Sequence, residues 1–154
     1  RDITRAEFVA MVVRALGLMP ANGEISFVDV NKSDWFADYI QTAHDYQLIE
    51  GYSGSRFAPM DTITREQAMT IIAKAMNITG INPDLSPERV NRLLDGYKDA
   101  ASISSYARDH IAAGLDLDII NGRTTNTIQP KSKITRAEVA TLLQKLLRKS
   151  DLIQ

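Results

Sequence analysis

Three arginines hold the same place in a repeated five-residue stretch: Arg5 in ITRAE, Arg65 in ITREQ and Arg136 in a second ITRAE. A threonine precedes each one, and a glutamate or glutamine stands three residues after that threonine, as in Thr4 with Glu7, Thr64 with Gln67 and Thr135 with Glu138. This spacing predicts a capping box, in which both side chains satisfy free backbone N–H groups at a helix start. Ile3 before Phe8, and Ile134 before Val139, fit a hydrophobic staple across the first turn. Capping accounts for four of the five positions and leaves the arginine over. A cation in the first turn sits at the positive end of the helix dipole, where an acid would be favoured by roughly 0.3–1 kcal/mol. A helix N-terminus attracts anions, and a guanidinium beside it adds bidentate recognition of a carboxylate or phosphate. Two roles stay open for these arginines: anion binding, or structural pairing with an aspartate such as Asp29 or Asp99.

The elements that position the arginines repeat as well. The arginines are 60 and 71 residues apart, and Trp35 matches Tyr106, Ile49 matches Ile120, Gly51 matches Gly122, Phe57 matches Ile128 and Pro59 matches Pro130, each pair 71 apart. This register divides the chain into residues 1–24, the second half of a repeat; 25–79, a whole repeat; 80–96, a linker with a short helix; and 97–154, another whole repeat. Each whole repeat predicts helix, long loop, helix. The first helix carries Trp35, Phe36, Tyr39, Ile40 and Ala43, or Tyr106, Ala107, Ile111 and Leu115, and is expected to end before Gly51 or Gly122. The loop drops Phe57 or Ile128 into the core, turns at a proline and enters the motif helix. That helix shows an apolar stripe, for example Val139, Leu142, Leu143, Leu146 and Leu147. In the linker, Ser86 is the expected cap and Pro87 the first helical residue. The fold class is all-α, helix-loop-helix tandem repeats, with room for short extended pieces in the loops.

Composition excludes several functions. The 154 residues are 44% hydrophobic and 24% charged, the ordinary balance of a globular protein. A net charge of −1 gives no reason to expect nucleic acid, and no apolar run is long enough to insert in a membrane. Without cysteine there is neither a disulfide nor a thiolate metal site. DVNKSD at Asp29 to Asp34 looks like a calcium loop, but Asp34 and Ile40 stand where the pattern needs glycine and glutamate, so a turn and helix cap is expected. His44 and His110 lack partners at metal-ligand spacing, and no phosphate loop or nucleophile elbow is present. No cofactor or metal is expected. Lys145, Arg148 and Lys149 near the end of the last helix read as a solvated terminus. The chain opens in mid-repeat, so a trimmed terminus is expected rather than a natural one.

The successions FVDV…W…LIEGY…FAPMDTITREQ and YKDA…IINGR…IQPKSKITRAE resemble the S-layer homology domain, over nearly the whole chain and least near residues 80–96. The resemblance implies a pseudo-threefold, three-pronged unit. It further implies non-covalent binding of a secondary cell-wall polysaccharide on a secreted protein at a Gram-positive cell wall or S-layer, with any self-association left to regions outside this chain. It puts Arg5, Arg65 and Arg136 against a carboxylate, typically the pyruvate ketal of a terminal N-acetylmannosamine, in Arg-lined inter-repeat grooves. It also makes Asp29 and Asp99 part of the signature and sets Trp35 and Tyr106 where an aromatic faces a sugar. Gly51, Gly122 and Arg123 fall in the groove loop. The residues themselves leave Trp35 and Tyr106 open between stacking and core anchoring, and their ring bodies read as core. Glu66-Gln67 in place of Ala-Glu still caps but changes the charge beside the groove. The expectation is a non-catalytic carbohydrate-binding anchor. A helical protein-binding scaffold with arginine salt bridges, and more distantly a glycan-processing enzyme, are the competing readings.

Overall fold

The computed structural model describes residues 2–20, 24–51, 55–81 and 83–151. Among the described residues six α-helices follow one another: α1 Arg5–Leu16, α2 Ala37–Asp45, α3 Arg65–Ile78, α4 Pro87–Leu94, α5 Ser105–Asp116 and α6 Arg136–Lys149, with a 3-10 turn at Ala100–Ser102 before α5. Among the described residues extended pairing is limited to two isolated antiparallel bridges, Thr4 with Thr62 and Thr64 with Lys133. The all-α expectation holds.

The motif helices start as their spacing demands. The hydroxyls of Thr4, Thr64 and Thr135 accept the N–H of Glu7, Gln67 and Glu138 at 3.1, 3.3 and 3.2 Å. The three side chains return the bond to the threonine N–H at 3.1, 3.0 and 3.0 Å. Each reciprocal cap satisfies two otherwise orphaned donors. In α4, Ser86 accepts the Arg89 N–H at 3.2 Å, ahead of Pro87 in the first turn.

The first helices of the repeats differ from expectation, α2 at both ends and α5, which carries Tyr106, Ala107, Ile111 and Leu115 as expected, only at its end. Trp35 and Phe36 lie in a turn before α2, and α2 and α5 stop at Asp45 and Asp116, well short of Gly51 and Gly122. Both helices close with a Schellman pair. Leu48 donates to the Ala43 carbonyl at 2.9 Å and Gln47 to that of His44 at 3.0 Å; Ile119 donates to Gly114 at 3.0 Å and Asp118 to Leu115 at 3.2 Å. The left-handed residues that make this closure are Gln47 (φ 62°) and Asp118 (φ 57°), a position usually given to glycine. Gly51 and Gly122 serve close packing instead. A Cβ would stand 2.7 Å from the Arg56 carbonyl oxygen at Gly51, and 2.5 Å from that of Thr124 at Gly122.

Contacts gather into two compact units, Arg1–Ile63 and Thr64–Gln154. In the first, α1 packs on α2; in the second, α3 packs on α5 and α6, and α4 on α5. Each motif helix with a partner following it therefore buries its stripe against the opening helix of the next repeat, so packing runs half a repeat out of step with the sequence period. Phe57 and Ile128 are fully buried, as the loop pattern predicts. Burial of a side chain of that size contributes about 1.5–3 kcal/mol. Trp35 and Tyr106 correct the core reading, at 58% and 53% exposed. Their neighbours Phe36 and Ala107 take the inward positions, while the Trp35 ring sits edge-on to Phe36 at 5.5 Å.

Candidate functional site

The same loop device precedes α1 and α3 in space. Both carboxylate oxygens of Asp29 accept backbone N–H groups, from Phe57 and Ala58, at 2.8 and 2.8 Å. Those of Asp99 accept from Ile128 at 2.9 Å and Gln129 at 2.8 Å. Ala58 (φ 59°) and Gln129 (φ 55°) are left-handed, which costs about 1–2 kcal/mol each; charge-assisted bonds of about 1.5–3 kcal/mol offset it. Desolvation raises the Asp29 pKa, and the Phe57 and Ala58 N–H groups outweigh it, so the net shift is downward.

Held this way, the loop turns carbonyls toward the motif helix. Arg5 N–H meets Asp61 O at 2.8 Å and Ala6 N–H meets Pro59 O at 2.9 Å; Arg65 N–H meets Ser132 O at 2.8 Å and Glu66 N–H meets Pro130 O at 2.9 Å. With the threonine caps, the first-turn donors of α1 and α3 are consumed. The helix-terminus half of the anion-binding argument therefore does not apply to these two helices.

The three motif arginines occupy different surroundings. Arg5 Nε donates to Phe57 O at 3.0 Å, with the guanidinium 4.5 Å from the centre of the Phe57 ring. Arg65, 4% exposed, donates from Nε to Ile128 O at 2.9 Å and from Nη2 to Asn121 O at 3.3 Å. Its Nη1 pairs with Glu138. Burial lowers the Arg65 pKa, with Glu138 opposing. Asp99 acts on Arg65 only electrostatically, so the expected aspartate pairing is replaced by the capping glutamate of α6. Glu138 also accepts from Arg123 at 2.7 and 3.2 Å. Desolvation raises its pKa; the bonds from Arg123 and Thr135 and the Arg65 charge bring it below the ordinary value. Arg136 is exposed at the start of α6.

A cavity of about 140 Å³ opens in the second unit between α3, the Ile119–Gly122 segment and α6. Met69, Ile119 and Leu142 give it apolar walls; Arg65, Asn121, Gly122, Glu138, Thr141 and Lys145 give it polar ones. The lining thus carries two cations and one carboxylate. Of the candidate residues, Arg65 and Gly122 line this cavity, Arg123 joins them through Glu138, and Asp99 holds the loop behind Arg65. Arg5, Asp29, Gly51 and Trp35 belong to the first unit. Tyr106 instead donates to Glu66 at 3.1 Å. Glu66, 3% exposed, also accepts the N–H and hydroxyl of Ser104 at 2.9 and 2.6 Å and pairs with Lys131 at 2.9 Å. Its charge therefore serves the start of α5 and not the cavity.

Glu138, Asn121 and Lys145 are cavity residues that motif reading missed. Lys145 is no solvated helix end but a half-buried lining residue. A signal for it exists: the position nine residues after each motif arginine is basic, as Arg14, Lys74 and Lys145.

The S-layer homology domain family matches residues 26–69 and 96–140. The chain belongs to this family. It is 37% identical over 98% of its length to Exoglucanase XynX of Acetivibrio thermocellus, covering 13% of that protein. It is 27% identical over 98% of its length to the Surface-layer 125 kDa protein of Lysinibacillus sphaericus, covering 12%. To a Cellulosome-anchoring protein of Acetivibrio thermocellus it is 26% identical, covering 33% of that protein and 98% of the chain. The chain thus spans a third or less of these relatives. S-layer homology domains are cell-surface anchoring modules, which places the chain at the bacterial cell wall or S-layer.

Proposed function

We propose that this S-layer homology chain is a non-catalytic anchor that binds an acidic secondary cell-wall polysaccharide, bearing pyruvate ketals, in Arg-lined grooves. The observation that carries this reading is the cavity beside Arg65, with apolar walls, Asn121 and Gly122 at its edge, and more cations than carboxylates in its lining. Apolar walls suit the faces of a sugar ring, and the surplus cation suits its carboxylate. Each charge-assisted contact would contribute about 1.5–3 kcal/mol, and several grooves on one polymer would add avidity. The relatives support the division of labour: in the exoglucanase, catalysis has the remaining length of a much longer protein to reside in.

The Arg65–Glu138 pair favours the competing reading of a protein-binding scaffold, and the two separate cleanly by calorimetry. The anchor binds purified cell-wall polymer and binds it at least tenfold more weakly once the pyruvate ketals are removed by mild acid. Equal binding to both polymers, or none to either, rejects the pyruvylated-anchor reading.

A further inference from the structure

We infer that Asn121 and Gly122 form a self-modifying site: the Gly122 nitrogen attacks the Asn121 side chain, ammonia leaves, and residue 121 becomes an acid. The reaction depends only on these two residues and the groups around them. Its consequence for attachment rests on the anchor reading above.

The sequence supplies the pair. Asn121 is followed by a glycine, which has no Cβ to shield its backbone nitrogen. Among the described residues every other asparagine precedes a bulkier residue: Asn31 before Lys32, Asn77 before Ile78, Asn91 before Arg92 and Asn126 before Thr127. Asn121 is exposed to water, and among the described residues no acceptor holds the Gly122 N–H. That proton is therefore open to a base in solution.

The fold adds a cation at each oxygen where negative charge develops. Loss of the Gly122 proton leaves an amidate, whose charge is shared by resonance with the Asn121 backbone oxygen. Arg65 Nη2 donates to that oxygen at 3.3 Å. Attack on Cγ then puts charge on the Asn121 side-chain oxygen, which Lys145 Nζ meets. Asp118 accepts from the amide nitrogen at 3.1 Å and so keeps the oxygen turned toward Lys145. As the bond from the Gly122 nitrogen to Cγ forms, the bond from Cγ to the amide nitrogen breaks, and ammonia departs with a proton from water. Water next opens the succinimide at either carbonyl and leaves aspartate or isoaspartate. No other co-reactant enters.

The other repeat shows that the product suits the fold. Glu50 stands 71 residues before Asn121, at the same place in its repeat, so an acid is tolerated there. In the cavity the change takes the lining from two cations and one carboxylate to two of each. On the anchor reading, attachment to an acidic polymer therefore weakens as the protein ages, because residue 121 competes with the ligand for Arg65 and Lys145.

The test follows the whole chain by peptide mapping at mildly alkaline pH, which separates Asn121 from Asn22, the other asparagine that precedes a glycine. Residue 121 should convert at least about threefold faster in the folded chain than in the same chain unfolded in urea, where both cations are lost. An equal or slower folded rate overturns the inference and leaves the anchor reading standing. Lys145→Met should lower the folded rate, and Lys145→Arg, which keeps the cation, should hold it near wild type. Lys145→Met that is folded by circular dichroism and converts at the wild-type rate overturns the role of Lys145. Asn121→Asp should bind pyruvylated wall polymer at least about threefold more weakly than fresh wild type, through the added like charge; equal binding overturns the ageing effect. Fresh wild type that binds no polymer overturns the anchor reading, while the rate comparison still decides the self-modification.

Discussion

The two compact units hold a buried arginine against the same loop by different means. In the first, Arg5 lies over the ring of Phe57 and donates to its carbonyl. In the second, Ile128 has replaced the phenylalanine, the carbonyl contact persists, and the guanidinium pairs with the carboxylate of Glu138. What repeats is the backbone device: an aspartate on two loop N–H groups, a left-handed residue, and an arginine on the loop carbonyl. What varies is the side chain beneath the guanidinium, a phenylalanine ring under Arg5 and an isoleucine beside Arg65, which pairs with Glu138.

Three measurements sharpen or break this comparison. The largest effect is expected for Arg65→Ala, which leaves Ile128 O and Asn121 O without their donor and removes one of the two cations on Glu138. It should lower stability by about 2–4 kcal/mol in urea unfolding; a loss below about 1 kcal/mol would show that Arg123 alone compensates Glu138. Phe57→Ile copies the second unit's residue into the first. Losing the ring's interaction with Arg5, together with imperfect repacking, should cost about 1–2 kcal/mol. A neutral result would mean that the ring contributes only volume.

The smallest effect is a pH dependence. The folded-state pKa of Glu138 is depressed below its ordinary 4.5. Its contribution is therefore complete above that value and is lost as pH falls through the lower, folded one. Urea midpoints should stay flat with respect to Glu138 from neutrality to about pH 5 and fall below 4.5, and Glu138→Gln should remove that part of the fall. If the acid limb is the same in Glu138→Gln, it comes from other carboxylates, such as Asp29 and Glu66, whose pKa values are also lowered.

Much of the fold was legible because local rules wrote it. The Thr-x-x-Glu and Thr-x-x-Gln boxes named the starts of α1, α3 and α6, and Ser86-Pro87 named the start of α4. The ends of α2 and α5 were not legible, since Gln47 and Asp118 take the left-handed position where a reader looks for glycine. Trp35 and Tyr106 misled for a related reason. A large ring suggests core, but Phe36 and Ala107 had already filled the inward positions.

The sequence by itself determined the repeat, the caps, the all-α class and the family, because these depend on residues within a few positions of one another or on a period that survives in the text. Only the tertiary structure decided what the three arginines do. Closely similar motifs place Arg65 in the interior and Arg136 at the surface, since a guanidinium's role is set by the acceptors that other segments bring to it. For Arg65 those come from Asn121, Ile128 and Glu138, between 56 and 73 residues away.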